Sequence, residues 1–146
     1  METRALVRAI VYDEQEAGLH YLLLHAKKGY WQNPQGGIDS GESELEAIAR
    51  ETREETGLEA LEIIAESRST MEYDAEKSGV PIHTLLAAYA IRVDSRQEVI
   101  LSPEDGHIEY RWVSYDEALR LLTTYPEQKQ VFEEVVRKIG RERRSS

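Results

Sequence analysis

Several features common in proteins are missing from this sequence, and each absence narrows what the protein can be. There is no cysteine, which excludes disulfide bonds and thiolate-bound zinc. The longest apolar run, residues 85–91, is too short to cross a bilayer. Residues 1–14 turn acidic before a long apolar stretch develops, unlike a secretory signal peptide. We therefore expect a cytoplasmic protein without a membrane partner.

Basic residues are also in short supply. Eighteen Lys and Arg stand against twenty-eight Asp and Glu, which gives a formal net charge of −10. Such a charge disfavours non-specific binding to nucleic acid, so no long nucleic acid is expected as a partner. The 146 residues, 40% of them hydrophobic, are enough for one domain with its own core. Composition leaves a monomer and a homodimer equally open.

What the sequence has in abundance is glutamate, concentrated in residues 36–58. On a helix, Glu51, Glu54 and Glu55 would share one face, because positions three and four apart are neighbours. Three carboxylates in one place repel each other unless a cation lies among them, and oxygen ligands suit Mg²⁺ or Mn²⁺. The plainer interpretation is a solvated helix face, supported by the i,i+4 spacing of Glu46 and Arg50.

The spacing of this segment resembles a known signature, that of the Nudix hydrolase family. Written G-x5-E-x7-R-E-U-x-E-E-x-G-U, with U a bulky apolar residue, the pattern matches at every fixed position. Thr52 is the one departure, since the pattern prefers Ile, Leu or Val there. The matching positions are Gly36, Glu42, Arg50, Glu51, Thr52, Glu54, Glu55, Gly57 and Leu58.

The resemblance implies a metal-dependent pyrophosphohydrolase that cleaves a phosphoanhydride bond by attack of water at phosphorus. It implies that Glu51 and Glu55 bind Mg²⁺ or Mn²⁺, helped by Glu54 and by the backbone carbonyl of Gly36. Arg50 would orient the neighbouring glutamates. The general base would be Glu54, or else a glutamate outside the helix.

Several residues around the signature keep more than one interpretation. The glutamate outside the helix would be Glu104, in the loop SPEDGH. Glu42 would either reach the metal or stabilise the positive end of the helix. Trp31 would either stack on a base or fill the core. The remaining candidate substrate-binding residues are Gln35, Gly37, Lys28 and Tyr73.

Two sequence segments point to different substrates. Residues 31–39, WQNPQGGID, look like the Nudix branch that cleaves dinucleoside polyphosphates and triphosphorylated RNA ends. Residues 109–113, EYRWV, are similar to bacterial dNTP and dihydroneopterin triphosphate pyrophosphohydrolases. We expect a nucleoside polyphosphate, either a dinucleoside polyphosphate or a (d)NTP. The alternatives are an RNA 5′-pyrophosphohydrolase and a nucleotide-sensing module that does not cleave its ligand.

The hydrophobic pattern predicts an α/β (α+β) fold. Strands are expected near residues 3–12, 20–26, 58–69, 82–93 and 108–113, and helices from Ser43, over 114–122 and over 126–139. Residues 73–81 are expected to be a loop. In the first helix, Leu45, Ile48, Ala49 and Thr52 are expected to be buried. The resemblance sharpens this to one Nudix domain over residues 1–140, a mixed β-sheet sandwiched between helices, and a frayed tail over 141–146.

Overall fold

The computed structural model describes residues 1–145, with side chains through residue 140. Within this part the chain forms seven strands and three α-helices, which confirms the expected mixed fold. The strands are β1 (Glu2–Gln15), β2 (Gly18–Ala26), β3 (Trp31–Gln32), β4 (Gln35–Gly37), β5 (Glu62–Lys77), β6 (Val80–Arg92) and β7 (His107–Val113). The helices are α1 (Glu44–Thr56), α2 (Tyr115–Leu121) and α3 (Pro126–Ser145).

All the strands belong to one mixed sheet with β1 near its centre. The main order is β3-β2-β1-β6-β5, with β4 paired to β1 and β7 paired to β2. β1 and β6 run parallel, and the other pairs are antiparallel. Because side chains alternate between the faces of a strand, β1 feeds two cores. Val7, Ala9 and Val11 are buried on one face, and Ile10 and Tyr12 on the other.

Helices cover both faces of the sheet. On one face, Ala47, Ile48 and Leu58, from α1 and the loop after it, pack against the β1 side chains Val7, Ala9 and Val11. On the other face lie α2 and α3, which contribute a separate set of buried side chains. That set is Ala118, Leu122, Val131, Phe132, Val135 and Ile139. Val131, Val135 and Ile139 thus form an apolar stripe of α3 that faces the sheet.

Helix α1 begins and ends as its sequence predicts. The Ser43 hydroxyl accepts from the Glu46 backbone N–H at 3.1 Å, and the Glu46 carboxylate accepts from the Ser43 N–H at 3.0 Å. This reciprocal capping box satisfies two N–H groups that the helix leaves free. Gly57 ends the helix in the left-handed region, at φ 75°.

The predicted buried face of α1 was partly wrong. Leu45 is 42% exposed, whereas Glu55 is buried together with Ala47, Ile48, Thr52 and Thr56. The face that meets the sheet is therefore rotated toward the glutamates. Hydrophobicity alone could not locate this face, because one of its members is a carboxylate.

The loop expected over residues 73–81 is also corrected. β5 and β6 continue through this segment as a hairpin that pairs up to Lys77 and Val80. Its turn is Ser78-Gly79, with φ values of 54° and 79°, and positive φ at both turn positions matches the twist of the strands. The residues here are largely exposed, so no apolar alternation marks the strands.

The C-terminal helices agree with prediction at their starts and differ at one end. α2 follows the N-cap Ser114, and α3 begins at Pro126 but continues to Ser145, beyond the expected residue 139. The predicted frayed tail, residues 141–146, lies outside the residues whose side chains are described, so it stays a prediction. In the described chain, none of the helices has the length and apolar character needed to span a membrane.

Candidate active site

Glu55 is the most deeply buried carboxylate of the signature. Its side chain is 5% exposed. Oε1 accepts from the Gln35 backbone N–H at 3.1 Å, while Oε2 has no hydrogen-bond partner within the described structure. Burial, reinforced by the nearby charges of Glu51, Asp105 and Glu54, raises the pKa of Glu55 to about 8. The site therefore holds a carboxylate that lacks a positive partner.

Glu51 lies beside the backbone of β4. Its side chain is 14% exposed, and Oε1 accepts from Arg50 Nη1 at 2.7 Å. Burial raises the pKa of Glu51, although the guanidinium of Arg50 opposes the shift. A Cβ placed on Gly36 would collide with the Glu51 carboxylate. The glycine of the signature is thus required for close approach of β4 to this carboxylate.

Arg50 connects the remaining signature acids. It donates to both oxygens of Glu42, at 2.8 and 2.9 Å, and to the Gly37 carbonyl at 2.9 Å. Its Nη1 also lies 3.3 Å from Glu54 Oε2. The hydrogen bonds from Arg50 and from the Asp39 backbone N–H lower the pKa of Glu42 to about 2. The expectation that Arg50 pairs with neighbouring glutamates agrees with these contacts.

The two candidate bases are both solvent-accessible. The Glu54 side chain is 56% exposed, and Glu104 is exposed on a short 3₁₀ turn, Pro103–Asp105. This turn lies alongside the carboxylates, because Asp105 is close enough to raise the pKa of both Glu51 and Glu55. Both glutamates therefore remain candidates.

The donors present fit a divalent cation. Among the described residues, no three carboxylate or imidazole side chains already converge as a finished metal site. However, Glu55 Oε2 is buried without a partner, and the recess at Gly36 is filled only by the Glu51 carboxylate. Carboxylate and carbonyl oxygens are the donors that Mg²⁺ and Mn²⁺ prefer. Glu51, Glu55 and the Gly36 carbonyl could hold such an ion.

His107 is a neighbour of the carboxylates that no sequence motif indicates. It is 6% exposed, and its Nδ1 lies 3.8 Å from Glu55 Oε2. Its Nε2 lies 2.6 Å from the Gln32 amide nitrogen. Burial lowers the pKa of His107, so the imidazole is neutral near pH 7. No local pattern could have linked His107 to Glu55, because they lie far apart in sequence and meet only through the fold.

The predicted substrate-binding residues occupy four different places. Gln35 and Tyr73 line a cavity of about 400 Å³ on the α3 face of the sheet. Trp31 is half-buried, stacked on His25 with ring centroids 4.5 Å apart. Lys28 is exposed in the turn after β2. The Gly37 carbonyl accepts from Arg50, which also binds the glutamates. The fold brings Gln35 and Gly37 to the carboxylates, and the other roles stay predictions.

Comparison with known proteins agrees with this geometry. A model of the NUDIX domain matches residues 2–135. Bis(5′-nucleosyl)-tetraphosphatase (asymmetrical) of Mus musculus is 37% identical over 118 residues, covering 78% of this chain and 77% of the mouse protein. The chain belongs to the Nudix family. It is a Nudix hydrolase acting on phosphorus-containing anhydrides, and hydrolases of this family generally use divalent metal ions.

Two further similarities extend the comparison. RNA pyrophosphohydrolase of Erythrobacter litoralis (strain HTCC2594) is 33% identical over 122 residues, covering 75% of this Nudix hydrolase and 73% of the relative. The binary complex of C. elegans Ap4A hydrolase superposes with a TM-score of 0.79 at 23% identity, covering 94% and 98% of the two chains. At that identity the superposition supports the fold alone.

Proposed function

We propose that this Nudix hydrolase cleaves a dinucleoside polyphosphate, with Mg²⁺ or Mn²⁺ as its metal ion. The observation that carries the proposal is the unpartnered, buried carboxylate of Glu55, which lies next to Glu51 and the Gly36 recess. The substrate is supported by the sequence WQNPQGGID and by similarity to a bis(5′-nucleosyl)-tetraphosphatase. A nucleoside or deoxynucleoside triphosphate is the second choice.

The charged residues of the signature have two roles: some would bind the metal ion, and others orient those ligands. Glu51, Glu55 and the Gly36 carbonyl would hold the metal ion, helped by Glu54. When bound, the ion offsets negative charge on the polyphosphate and on the departing oxygen. Arg50, itself held by both oxygens of Glu42, fixes the rotamer of Glu51.

The attacking water must lose a proton to a carboxylate. Glu54 is our first assignment, because it lies on the same helix as the ligands and is open to solvent. Glu104 is the alternative, because its turn adjoins the site.

The substrate is held by residues beyond the acids. Gly37 lets the polyphosphate approach the backbone, Gln35 and Tyr73 line the neighbouring cavity, and Trp31 and Lys28 contact the far part of the substrate.

A cytoplasmic location and a monomer or homodimer remain predictions from the sequence.

The test is hydrolysis of a substrate panel with Mg²⁺ or Mn²⁺, with products separated by chromatography. The panel contains diadenosine polyphosphates, (d)NTPs, a 5′-triphosphorylated oligonucleotide, dihydroneopterin triphosphate and ADP-ribose. We expect a diadenosine polyphosphate to be cleaved fastest. Preferential cleavage of the oligonucleotide would instead establish an RNA 5′-pyrophosphohydrolase, which similarity to RNA pyrophosphohydrolases also favours.

Single-residue variants test which glutamate is the general base and whether the protein is a nucleotide-sensing module. Glu54→Gln should lower kcat by about 100-fold or more, and Glu104→Gln should have a small effect; the reverse result would assign Glu104. Glu51→Gln should abolish turnover and leave nucleotide binding measurable. Metal-dependent binding of nucleotides without cleavage of any of them by the unmodified protein would show a sensing module.

A further inference from the structure

His107 is a buried histidine beside the acids of the signature, and the proposed chemistry gives it no role. Its side chain is 3% exposed, and that of its neighbour Glu55 is 5% exposed. His107 Nδ1 lies 3.8 Å from Glu55 Oε2, and neither atom has a hydrogen-bond partner among the described residues. A buried polar atom without a partner costs free energy, so two such atoms facing each other indicate that they act together.

The sheet brings a third residue, Gln32, to the same imidazole. β3 and β7 both pair with β2, so that Gln32 lies opposite Leu24. Two residues further along β2, His107 lies opposite Ala26. The Gln32 amide nitrogen is thereby placed 2.6 Å from His107 Nε2. A side-chain amide nitrogen can only donate, so Nε2 of the imidazole is the acceptor of this hydrogen bond.

The hydrogen bond from Gln32 determines which nitrogen of His107 carries the proton. An imidazole that accepts at Nε2 is neutral and has its N–H at Nδ1. The group that faces Glu55 Oε2 is therefore a donor. At 3.8 Å the two atoms are too far apart for a hydrogen bond, but a side-chain shift of less than about 1 Å would bring them within range.

With this shift, Glu55 would be held by one donor at each of its oxygens. Oε1 already accepts from the Gln35 backbone N–H at 3.1 Å, and Oε2 would accept from His107. A carboxylate oxygen has two lone pairs, so each oxygen would keep one for a cation. Carboxylates that bind metal ions are in turn hydrogen-bonded by neighbouring groups, which fix their orientation. His107 is placed to be such a neighbour.

We infer that His107 is a positioning residue, whose Nδ1–H donates to Glu55 Oε2 in the metal-bound protein and orients this carboxylate toward the ion. Gln32 sets the tautomer that this role requires. The imidazole is not itself a ligand, because a protonated nitrogen has no lone pair to offer a metal ion. The inference rests on the proposed function, because it takes Glu55 to be a metal ligand.

The first test determines the tautomer of His107 in the protein without metal. The histidine rings are labelled with ¹⁵N, and NMR correlates the ring nitrogens with the ring protons. The chain has only four histidines, and the signals of His107 are those that disappear in His107→Asn. We expect the proton on Nδ1. A proton on Nε2 would overturn the inference, because Nδ1 would then have no proton to donate.

The second test measures the affinity for Mn²⁺, by electron paramagnetic resonance of the free ion. His107→Leu should weaken Mn²⁺ binding by about 10–100-fold, as loss of a group that orients a ligand does. His107→Asn keeps an N–H near the position of Nδ1, so its affinity should stay within about threefold of that of the unmodified protein. Partial unfolding would lower the number of binding sites rather than their affinity.

His83→Leu is the matched control. It makes the same change at a histidine of β6 whose Nδ1 lies 2.8 Å from Asp74, and it should leave the Mn²⁺ affinity unchanged. Equal weakening in His107→Leu and His107→Asn would assign His107 to packing. Unchanged affinity in both would show that Glu55 needs no donor at Oε2. Either result would overturn the inference.

The outcome is separable from that of the proposed function. Mn²⁺ binding that depends on the donor at residue 107, without hydrolysis of any panel substrate, would support the inference and refute the hydrolase assignment for these substrates. Cleavage of a diadenosine polyphosphate together with full Mn²⁺ affinity in His107→Leu would refute the inference and leave the proposed function standing. A lack of Mn²⁺ binding by the unmodified protein would refute both.

Discussion

Glu55 shows how the charge of one residue depends on its surroundings. A glutamate at this position would be an ordinary ionised surface group if α1 faced solvent there. Instead, it is buried with Oε2 unpaired, and its pKa is about 8. In the protein without metal, the ionised form of Glu55 therefore opposes folding.

The first prediction concerns the pH dependence that Glu55 imposes. Its pKa rises from an ordinary value of 4.5 to about 8 in the folded protein, so the folded state binds this proton more tightly than the unfolded state. Stability should thus fall as pH rises from about 4.5 to about 8, by an amount on the order of a few kcal/mol. Glu55→Gln should remove this decline. Melting temperatures in EDTA between pH 5 and pH 9 measure it.

The control for this prediction is Glu66→Gln, at an exposed position of β5, which should follow the unmodified protein. Added Mg²⁺ should raise the melting temperature of the unmodified protein most at high pH, where Glu55 is ionised, and should have little effect on Glu55→Gln. Parallel curves for Glu55→Gln and the unmodified protein would contradict the raised pKa.

The second prediction concerns the contact between Gly36 and Glu51. An added Cβ at residue 36 meets only the end of the flexible Glu51 side chain, so Gly36→Ala should change stability by less than about 1 kcal/mol. The displaced carboxylate should lower kcat/KM by about 100-fold. Gly140→Ala, in helix α3, is the control, because a Cβ there meets nothing within 4 Å. Equal activities of the two variants would show that Glu51 is not required in its observed position.

At the scale of elements, the signature folds as strand, loop and helix, each with a local signal in the sequence. The capping box predicts the start of α1, and Gly57 predicts its end. The β5–β6 hairpin has no comparable apolar signal, because its distal half is exposed on both faces. The hairpin is specified by its turn and by the backbone pairing between β5 and β6.

The third prediction tests this turn. Ser78 has φ 54°, a conformation that is unfavourable for most residues and better tolerated by Asn. Ser78→Asn, which creates the favoured Asn-Gly pair, should stabilise the protein by about 0.5 kcal/mol. Ser78→Val should destabilise it, since β-branched residues avoid positive φ. Urea unfolding measures both changes, and a stable Val variant would show that the turn is not left-handed at this position.

At the scale of the whole molecule, the net charge of −10 limits how a polyanion can bind. Arg50, the arginine beside the carboxylates, is engaged with Glu42 and Glu51. We therefore expect a polyphosphate to be bound through a metal ion and local contacts rather than through a basic surface.

The fourth prediction follows from this charge. A single-stranded oligonucleotide with a 5′-hydroxyl end should bind with a Kd above about 0.1 mM at physiological salt. Its affinity should depend little on salt concentration. The same oligonucleotide with a 5′-triphosphate should bind only when Mg²⁺ or Mn²⁺ is present. Fluorescence anisotropy over a salt series measures both. A steep salt dependence for the hydroxyl form would reveal a basic track along the surface and favour RNA as substrate.

Local sequence was enough to predict most of the strands and helices and the catalytic segment. The period-two pattern of β1, the capping signals of α1 and the spacing from Gly36 to Leu58 are each contained in a short stretch of chain. These features depend on neighbours a few residues away, and such neighbours are visible in any sequence. The same stretch also indicated the family, because the spacing of the signature places its acidic residues on one helical face.

Only the tertiary structure decided which polar and charged side chains are buried away from water. It buried Glu55 rather than Leu45, brought His107 to Glu55, and enclosed Arg8 and Gln128 in one cavity. His107 and Glu55, like Arg8 and Gln128, lie on elements that are distant in sequence. Burial and partner identity depend on how the layers pack, and it is burial that turns a common charged residue into one with a shifted pKa or an unmet hydrogen bond.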